Sequence, residues 1–285
     1  MEILENILLV PELIFALYLG LASIYFFLFA IASHFYRERE YIRNNKKYKV
    51  ALLIPSYKED SVIVETAISA LKHKTLKAEV ETFVIADSLK SETITKIVET
   101  GAEVISVSFK KSTKAKSINE ALNLISNKYD YAIVLDADNI MEKNFIDEII
   151  YRLEQGYRII QGHRTAKNSN TNFAVLDGLS ESVNNAIFRT GHRAMGLSSS
   201  IIGSGFACEF QLFKLLMKQS DAVGGFDKQL ELILIERKIT IGYAKDAIVY
   251  DEKVQQAEVF VNQRRRWLSA QFVYWPSVHQ QPPNL

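Results

Sequence analysis

The chain has 285 residues, of which 48% are hydrophobic and 24% charged, so it can bury one substantial core but is short for two domains of typical size. Its formal net charge of +1 excludes the global basic field that dominates nucleic-acid binding. The one cysteine, Cys208, excludes an internal disulfide and gives no sign of an oxidising compartment. We therefore expect one principal domain, a cytosolic location for it and no nucleic-acid partner.

The N-terminal region contains a long segment without charge, residues 13–33, made of Leu, Ile, Phe, Tyr, Ala, Gly and Ser. About 20 apolar residues span a hydrocarbon core of about 30 Å, so this segment predicts a transmembrane helix. A cleaved signal peptide is the alternative, but glutamates precede the segment instead of a basic region, and the apolar stretch is too long. We predict a membrane anchor with a basic juxtamembrane segment over residues 1–47.

A cluster of positive charges follows the apolar segment and outnumbers the glutamates within it. The six cations are Arg37, Arg39, Arg43, Lys46, Lys47 and Lys49. Positive residues beside a span favour the cytoplasmic side, and a basic stretch also attracts anionic lipid headgroups. The sequence therefore predicts a cell-membrane protein with its folded part in the cytoplasm and membrane lipids as partners.

From residue 50 onward, short runs of β-branched residues alternate with longer amphipathic stretches, which is typical of strands and crossover helices in a mostly parallel sheet. The predicted strands are residues 50–54, 81–86, 102–107 and 131–135, and the predicted helices are residues 62–72, 92–100 and 116–125. Open parallel sheets bind ligands outside the carboxyl ends of their strands, so we expect the chemistry in the loops there. We predict an α/β domain over residues 48–275 and a frayed tail over residues 276–285.

Two carboxylates, Asp136 and Asp138, end the last predicted strand with one residue between them. Alternate residues of a strand share a face, so both side chains can approach one ligand. Mg²⁺ and Mn²⁺ take oxygen ligands and prefer one or two carboxylates completed by substrate phosphates. The pair predicts a divalent metal site, with an Asp-rich turn that caps the following helix as the alternative.

Further polar motifs follow the other predicted strands. They are Pro55-Ser56-Tyr57-Lys58-Glu59 after the first strand, Asp87 after the second, and the segment from Thr113-Lys114 to Asn119 at the start of the helix before Asp136. Together they resemble the catalytic domain of glycosyltransferase family 2. The resemblance implies a glycosyltransferase A-type α/β fold, and it implies that the nucleoside of a donor is held by Pro55, Tyr57, Glu59 and Asp87. Lys114 would border the same pocket, and Asp136 would face the ribose or the metal.

Two later segments extend the resemblance to roughly residues 49–272. Gly203 to Ala207 and Gly224-Gly225-Phe226-Asp227 are similar to acceptor-side motifs, and Gln263-Arg264-Arg265-Arg266-Trp267 fits the Gln-x-x-Arg-Trp signature of membrane polysaccharide synthases and their relatives. The resemblance implies that Gln263 and Arg266 contact the donor diphosphate and that Trp267 closes the site. An amphipathic basic helix on the membrane surface is the alternative interpretation of this segment.

The catalytic base stays open between two carboxylates. The family usually carries Glu-Asp before a helix, with the Asp as base, and here the Asp position falls on Asp227 while Phe226 replaces the Glu. Glu231 lies four residues later and would share a helix face with it. We favour Asp227 and keep Glu231 as the second candidate, although either also fits a carboxylate at a helix N-terminus.

The motifs together predict a metal-dependent, inverting hexosyl- or N-acetylhexosaminyl-transferase that moves a sugar from a nucleotide diphosphate sugar to a saccharide or lipid-linked acceptor. Polysaccharide or glycolipid synthesis would be its setting, with single transfer and chain growth both open. The alternatives are a metal-dependent nucleotidyltransferase and an inactive membrane scaffold. A histidine is sometimes the third metal ligand in such sites, and we assign neither His163 nor His192 to it.

Overall fold

The structure is a computed structural model that describes residues 2–38, 46–220 and 225–279. The helices are α1 Glu2–His34, α2 Ile63–Lys72, α3 Ser91–Thr100, α4 Lys114–Leu124, α5 Phe145–Glu154, α6 Asn172–Asn184, a π-helix Asn185–Gly191, α7 His192–Ala194, α8 Phe210–Lys218, α9 Phe226–Glu236 and α10 Ala257–His279. The strands are β1 Tyr48–Tyr57, β2 Ala78–Asp87, β3 Glu103–Val107, β4 Tyr131–Val134, β5 Ile140–Met141, β6 Ile159–Ala166, β7 Phe206–Glu209 and β8 Gly242–Asp251. Arg39, Arg43, Gly224 and residues 280–285 of the predicted tail lie outside the described residues.

The described strands form one sheet in the order β3-β2-β1-β4-β7-β6-β8-β5. The first four strands in this order are parallel, as the crossover helices α2, α3 and α4 require. β7 pairs antiparallel with both β4 and β6, and β5 pairs antiparallel with β8, whereas β6 and β8 are parallel. The α/β class is confirmed, and the sheet is mixed beyond β4.

The core lies on both faces of this sheet because alternate residues of β1 point in opposite directions. Ala51 and Leu53 belong to a buried cluster that includes side chains of α4, α8 and α9. Leu52 and Ile54 belong to a second cluster that includes side chains of α2 and α5. Burying one such aliphatic side chain contributes about 1.5–3 kcal/mol, so two helix layers fix the strand ends that carry the polar loops.

The apolar N-terminal helix contacts the α/β domain near its C-terminal end. Its residues Leu9–His34 form a helix of 26 residues that is long and apolar enough to cross a membrane. Phe26 packs edge-on against Phe188 of the π-helix, with ring centroids 6.1 Å apart. A Cβ atom at Gly191 would lie 2.3 Å from the backbone oxygen of Phe29, so only glycine allows this close approach. The π-helix is therefore the part of the domain against which α1 packs.

Candidate active site

Three carboxylates meet at the edge of the sheet where β4 and β8 end. Asp136 and Asp138 follow β4, and Asp251 is the last residue of β8. The short strand β5 pairs Ile140 with Tyr250, which brings the loop after β4 beside the end of β8. One oxygen from each of the three carboxylates lies within 4.8 Å of the others. Three carboxylate oxygens are a ligand set that Mg²⁺ or Mn²⁺ prefers, so this acidic group can hold a divalent metal.

An amide and a hydroxyl orient the acidic group from behind. The Nδ2 atom of buried Asn139 donates to both Asp138 and Asp251, each at 3.0 Å. The hydroxyl of Ser204 donates to Asn139 Oδ1 and accepts from the backbone N–H of Asp136 at 2.8 Å. The loop after β4 is thus tied to the glycine-rich loop Gly203-Ser204-Gly205, where a Cβ atom at Gly205 would meet the Val249 side chain at 2.6 Å.

The carboxylates of this edge repel one another. Burial, followed by the charges of Asp251 and Asp136, raises the pKa of Asp138 to about 7. Burial and the charge of Asp136 also raise the pKa of Glu59. A cation among them favours the ionised forms, so the electrostatics of the edge match a divalent metal.

Lys114 links the acidic group to the glycine-rich loop. It occupies the first turn of α4, where the Thr113 side chain caps the helix by accepting from Lys116 N–H. The ammonium group of Lys114 contacts the Asp136 carboxylate and donates to the backbone oxygen of Gly203 at 2.7 Å. One positive charge therefore stands beside the metal-site carboxylates, where a diphosphate would also need it.

The predicted nucleoside residues come together at the neighbouring strand ends. Strand pairing places Tyr57 directly beside Asp87, and Pro55 lies two residues earlier on β1. Asp87 is 1% exposed and accepts from the hydroxyls of Ser112 at 3.1 Å and Ser117 at 3.2 Å. Tyr57 is 51% exposed, and Lys58 Nζ lies 5.1 Å from the centroid of its ring, so the ring stands at the surface beside a positive charge.

The two candidate bases occupy different surroundings on α9. A Cβ atom placed on Gly203 would lie 3.6 Å from the Cβ atom of Asp227, and the backbone oxygen of Gly203 accepts from Lys114. Glu231 accepts from the backbone N–H of Ile201 and from Lys228 Nζ at 2.8 Å, and burial raises its pKa. Asp227 thus lies against the loop that contacts the acidic group, whereas the Glu231 carboxylate is held by two donors.

The Gln-x-x-Arg-Trp segment lies on α10, which packs against α9. Arg266 is exposed, Trp267 is 37% exposed, and Gln263 has a buried side-chain oxygen. Arg264 is the arginine tied to the domain, since it donates to buried Asp177 of α6 at 2.8 Å. A cleft of about 410 Å³ connects Asp138 with the start of α10. Val259 is the α10 residue that lines this cleft, and Gln263, Arg266 and Trp267 are not among its lining residues. Among the described residues, the structure therefore does not bring this segment into contact with the carboxylates.

Sequence reasoning missed Asp251, Asn139 and Ser204. A usable signal existed for Asp251, because it ends an apolar strand in the same way as the carboxylates after β4. Among the described residues the acidic group contains no histidine. His163 instead bonds the hydroxyl of Tyr243 at 2.7 Å, and His192 bonds that of Tyr25 in α1.

A sequence profile described as "Glycosyltransferase like family 2" matches residues 47–270, which is most of the chain. The chain belongs to this glycosyltransferase family. The predicted family and the predicted enzyme class are therefore confirmed, and a nucleotidyltransferase is not supported. No curated protein matches the sequence at a significant level.

The fold of this family 2 glycosyltransferase also matches solved A-type glycosyltransferases at low sequence identity. A mannosyltransferase from Pyrobaculum calidifontis in complex with GDP-Man and Mn²⁺ gives a TM-score of 0.61 at 12% identity, over 94% of this chain and 76% of that chain. Glucosyl-3-phosphoglycerate synthase from Mycobacterium tuberculosis in complex with Mn²⁺, UDP-Glc and phosphoglyceric acid gives 0.53 at 14% identity, over 76% of each chain. At these identities the likeness establishes the shared fold alone.

Proposed function

We propose that this glycosyltransferase transfers a sugar from a nucleoside diphosphate donor to an acceptor hydroxyl, with a divalent cation held by Asp136, Asp138 and Asp251. The observation that carries the proposal is the approach of these three carboxylates to within 4.8 Å at the edge that also holds the predicted nucleoside residues. Two fold neighbours, a mannosyltransferase and a glucosyl transferase, have Mn²⁺ together with GDP-Man or UDP-Glc, which supports the same ligand class here.

The donor would bind along the carboxyl ends of β1, β2 and β4. Pro55, Tyr57, Glu59 and Asp87 would hold the nucleoside, since the exposed Tyr57 ring can stack on a base and Asp87 lies directly beside Tyr57 at the end of β2. Lys114 would place its charge beside the diphosphate. Asp136, Asp138 and Asp251 would hold Mg²⁺ or Mn²⁺, which would supply Lewis-acid stabilisation of the departing diphosphate.

The transfer itself needs a proton acceptor at the sugar acceptor. The acceptor oxygen forms a bond to the anomeric carbon while the bond from that carbon to the diphosphate oxygen breaks, and Asp227 would take the hydroxyl proton. Single displacement of this kind inverts the anomeric centre. A general base is typically worth about 10² to 10⁴ in rate. Glu231 remains the second candidate for this role.

Gln263, Arg266 and Trp267 would complete the site from α10. The cleft beside Asp138 reaches α10 at Val259, one helical turn before Gln263, and the guanidinium of Arg266 suits phosphate oxygens because its donors form a planar fork. We propose that Trp267 covers the acceptor side once the donor is bound.

The donor proposal is tested by a binding screen of uridine, guanosine and thymidine diphosphate sugars with and without Mn²⁺, on the full chain in detergent. We expect one donor class to bind, only with the metal, and Asp138→Asn to abolish that binding. Metal-independent binding, or binding unchanged by Asp138→Asn, would overturn the proposal. Binding without any sugar transfer would support the inactive scaffold instead.

We also propose that α1 spans the cell membrane and that the catalytic domain faces the cytoplasm, close to the lipid surface. Supporting features are the basic residues after α1 and the exposed apolar side chains of α6, namely Val175, Leu176, Leu179 and Val183. Such a position suits a saccharide or lipid-linked acceptor in polysaccharide or glycolipid synthesis.

The orientation is tested by thiol labelling. Because Cys208 is buried, a Lys96→Cys variant carries one exposed thiol, which a membrane-impermeant maleimide should label only after the cells are opened. Labelling of intact cells would contradict this orientation.

A further inference from the structure

A buried ionic cluster lies directly behind the third carboxylate of the acidic group. It consists of Arg164 on β6, Glu181 on α6, Arg189 on the π-helix and Lys253 after β8, together with Asp251. The exposed fractions are 9% for Arg164, 6% for Glu181, 1% for Arg189 and 2% for Lys253. Charged side chains are almost never this deeply buried unless they are paired, so the pairing partners define what the cluster does.

Glu181 and Asp251 share two cations. Lys253 Nζ lies 2.7 Å from Asp251 Oδ2 and 3.7 Å from Glu181 Oε2. Arg164 Nη2 lies 2.7 Å from Glu181 Oε2, while its Nε atom lies 3.8 Å from Asp251 Oδ2. The second oxygen of Glu181 is 3.0 Å from Arg189 Nη1. Of the two shared cations, Arg164 therefore lies nearer to Glu181, and Lys253 lies nearer to Asp251.

The charge balance of the cluster shows why this sharing of cations matters for the acidic group. Three cations, Arg164, Arg189 and Lys253, face two carboxylates in the cluster. Without Glu181, the two cations that already approach Asp251, Arg164 and Lys253, would have Asp251 as their one carboxylate partner in the cluster. They would draw its carboxylate inward, away from Asp136 and Asp138, and they would repel a divalent cation in the acidic group.

We propose that Glu181 is a positioning residue of the metal site, which neutralises Arg164 and Lys253 so that the Asp251 carboxylate stays turned towards Asp136 and Asp138. This inference rests on the proposed function, because it assumes that the acidic group binds a cation. Stability alone gives little reason for such a cluster, since a buried ion pair is often no more stabilising than apolar residues of similar volume. Groups that orient metal ligands from behind typically change metal affinity about 10- to 100-fold when they are removed.

The test measures the Mn²⁺ dissociation constant of the full chain in detergent, by electron paramagnetic resonance of free Mn²⁺. We expect Glu181→Gln to bind Mn²⁺ about 10- to 100-fold more weakly than the parent. The matched control is Glu154→Gln, which breaks another buried ion pair, with Lys77 at 2.9 Å, beside the start of β2. That pair lies at the opposite end of β2 from Asp87, so the control should bind Mn²⁺ like the parent.

Unchanged Mn²⁺ affinity in Glu181→Gln, or an equal loss in Glu154→Gln, overturns the inference. The variant Asp138→Asn distinguishes a failure of this inference from a failure of the proposed metal site. If the parent binds no Mn²⁺, or if Asp138→Asn binds like the parent, the proposed metal site fails and this inference fails with it. If Glu181→Gln does not give the circular dichroism spectrum of the parent, Glu181→Asp takes its place. That variant keeps the charge but withdraws it from Arg164, so weaker binding supports the inference and parental binding overturns it.

Discussion

Asn139 and Ser204 determine how the carboxylates after β4 and β8 face one another. Neither residue carries a charge, and both are buried, so their side-chain chemistry does not mark them as part of a metal site. Their importance lies in direction, because an amide group that donates to Asp138 and Asp251 at once can do so in one orientation only. The acidic group is therefore set by neutral donors as much as by its ligands.

At the scale of single residues, we predict that Asn139→Ala weakens Mn²⁺ binding about 10- to 100-fold, because Asp138 and Asp251 lose their common donor. Titration of the full chain with Mn²⁺ measures the effect. Asn123→Ala, on the exposed side of α4, is the control and should bind like the parent. Equal affinity in both variants would show that the amide does not orient the site.

The choice between the two bases is also a question of single residues. We predict that Asp227→Asn lowers kcat about 10²- to 10⁴-fold, because the acceptor proton loses its base. Glu231→Gln should change kcat much less, because that carboxylate already accepts from Ile201 N–H and Lys228. Initial-rate kinetics at saturating donor decide between them. The opposite ranking of the two variants would assign the base to Glu231.

At the scale of elements, the contact between α1 and the π-helix depends on one close backbone approach. The π-helix interrupts the α-helical pattern between α6 and α7 and carries Phe188, Arg189 and Gly191. Phe188 packs towards α1, whereas Arg189 points into the buried ionic cluster. The segment therefore has α1 on one side and the interior of the α/β domain on the other.

We predict that Gly191→Ala destabilises the full chain by about 1–3 kcal/mol, because its Cβ atom would meet the Phe29 backbone and force α1 away from the π-helix. Gly20→Ala is the matched control, since a Cβ atom there meets nothing within 4 Å. Thermal unfolding in detergent compares the two variants. A melting temperature of Gly191→Ala equal to that of Gly20→Ala would mean that α1 does not sit where the structure has it.

For the whole molecule, the acidic group couples metal binding to the stability of the sheet. Asp136 follows β4, which contributes side chains to both buried clusters, and Asp251 ends β8, which contributes side chains to the cluster with α2 and α5. The two carboxylates meet only when the sheet is folded, so a cation that joins them stabilises the folded state only. A ligand at 100 times its dissociation constant adds about 2.7 kcal/mol to the free energy of unfolding.

We therefore predict that saturating Mn²⁺ raises the melting temperature of the parent by about 5 to 10 °C, given about 2–4 °C per kcal/mol for a domain of this size. Chelation with EDTA should reverse the rise, and Asp251→Asn should show almost none of it. Differential scanning fluorimetry in detergent measures these shifts. A rise of the same size in Asp251→Asn would place the stabilising ion elsewhere.

The sequence by itself determined the α/β class, the positions of β1 to β4 and α2 to α4, the apolar N-terminal helix and the family. These features are written in local periodicity and in short motifs, such as Asp136-Ala137-Asp138, whose members are neighbours in the chain. Only the tertiary structure brought Asp251 to those carboxylates, turned β7 antiparallel, and set Glu181 against Arg164 and Lys253. Each of these depends on pairing between segments distant in sequence, which packing of the whole sheet decides and which no local pattern encodes.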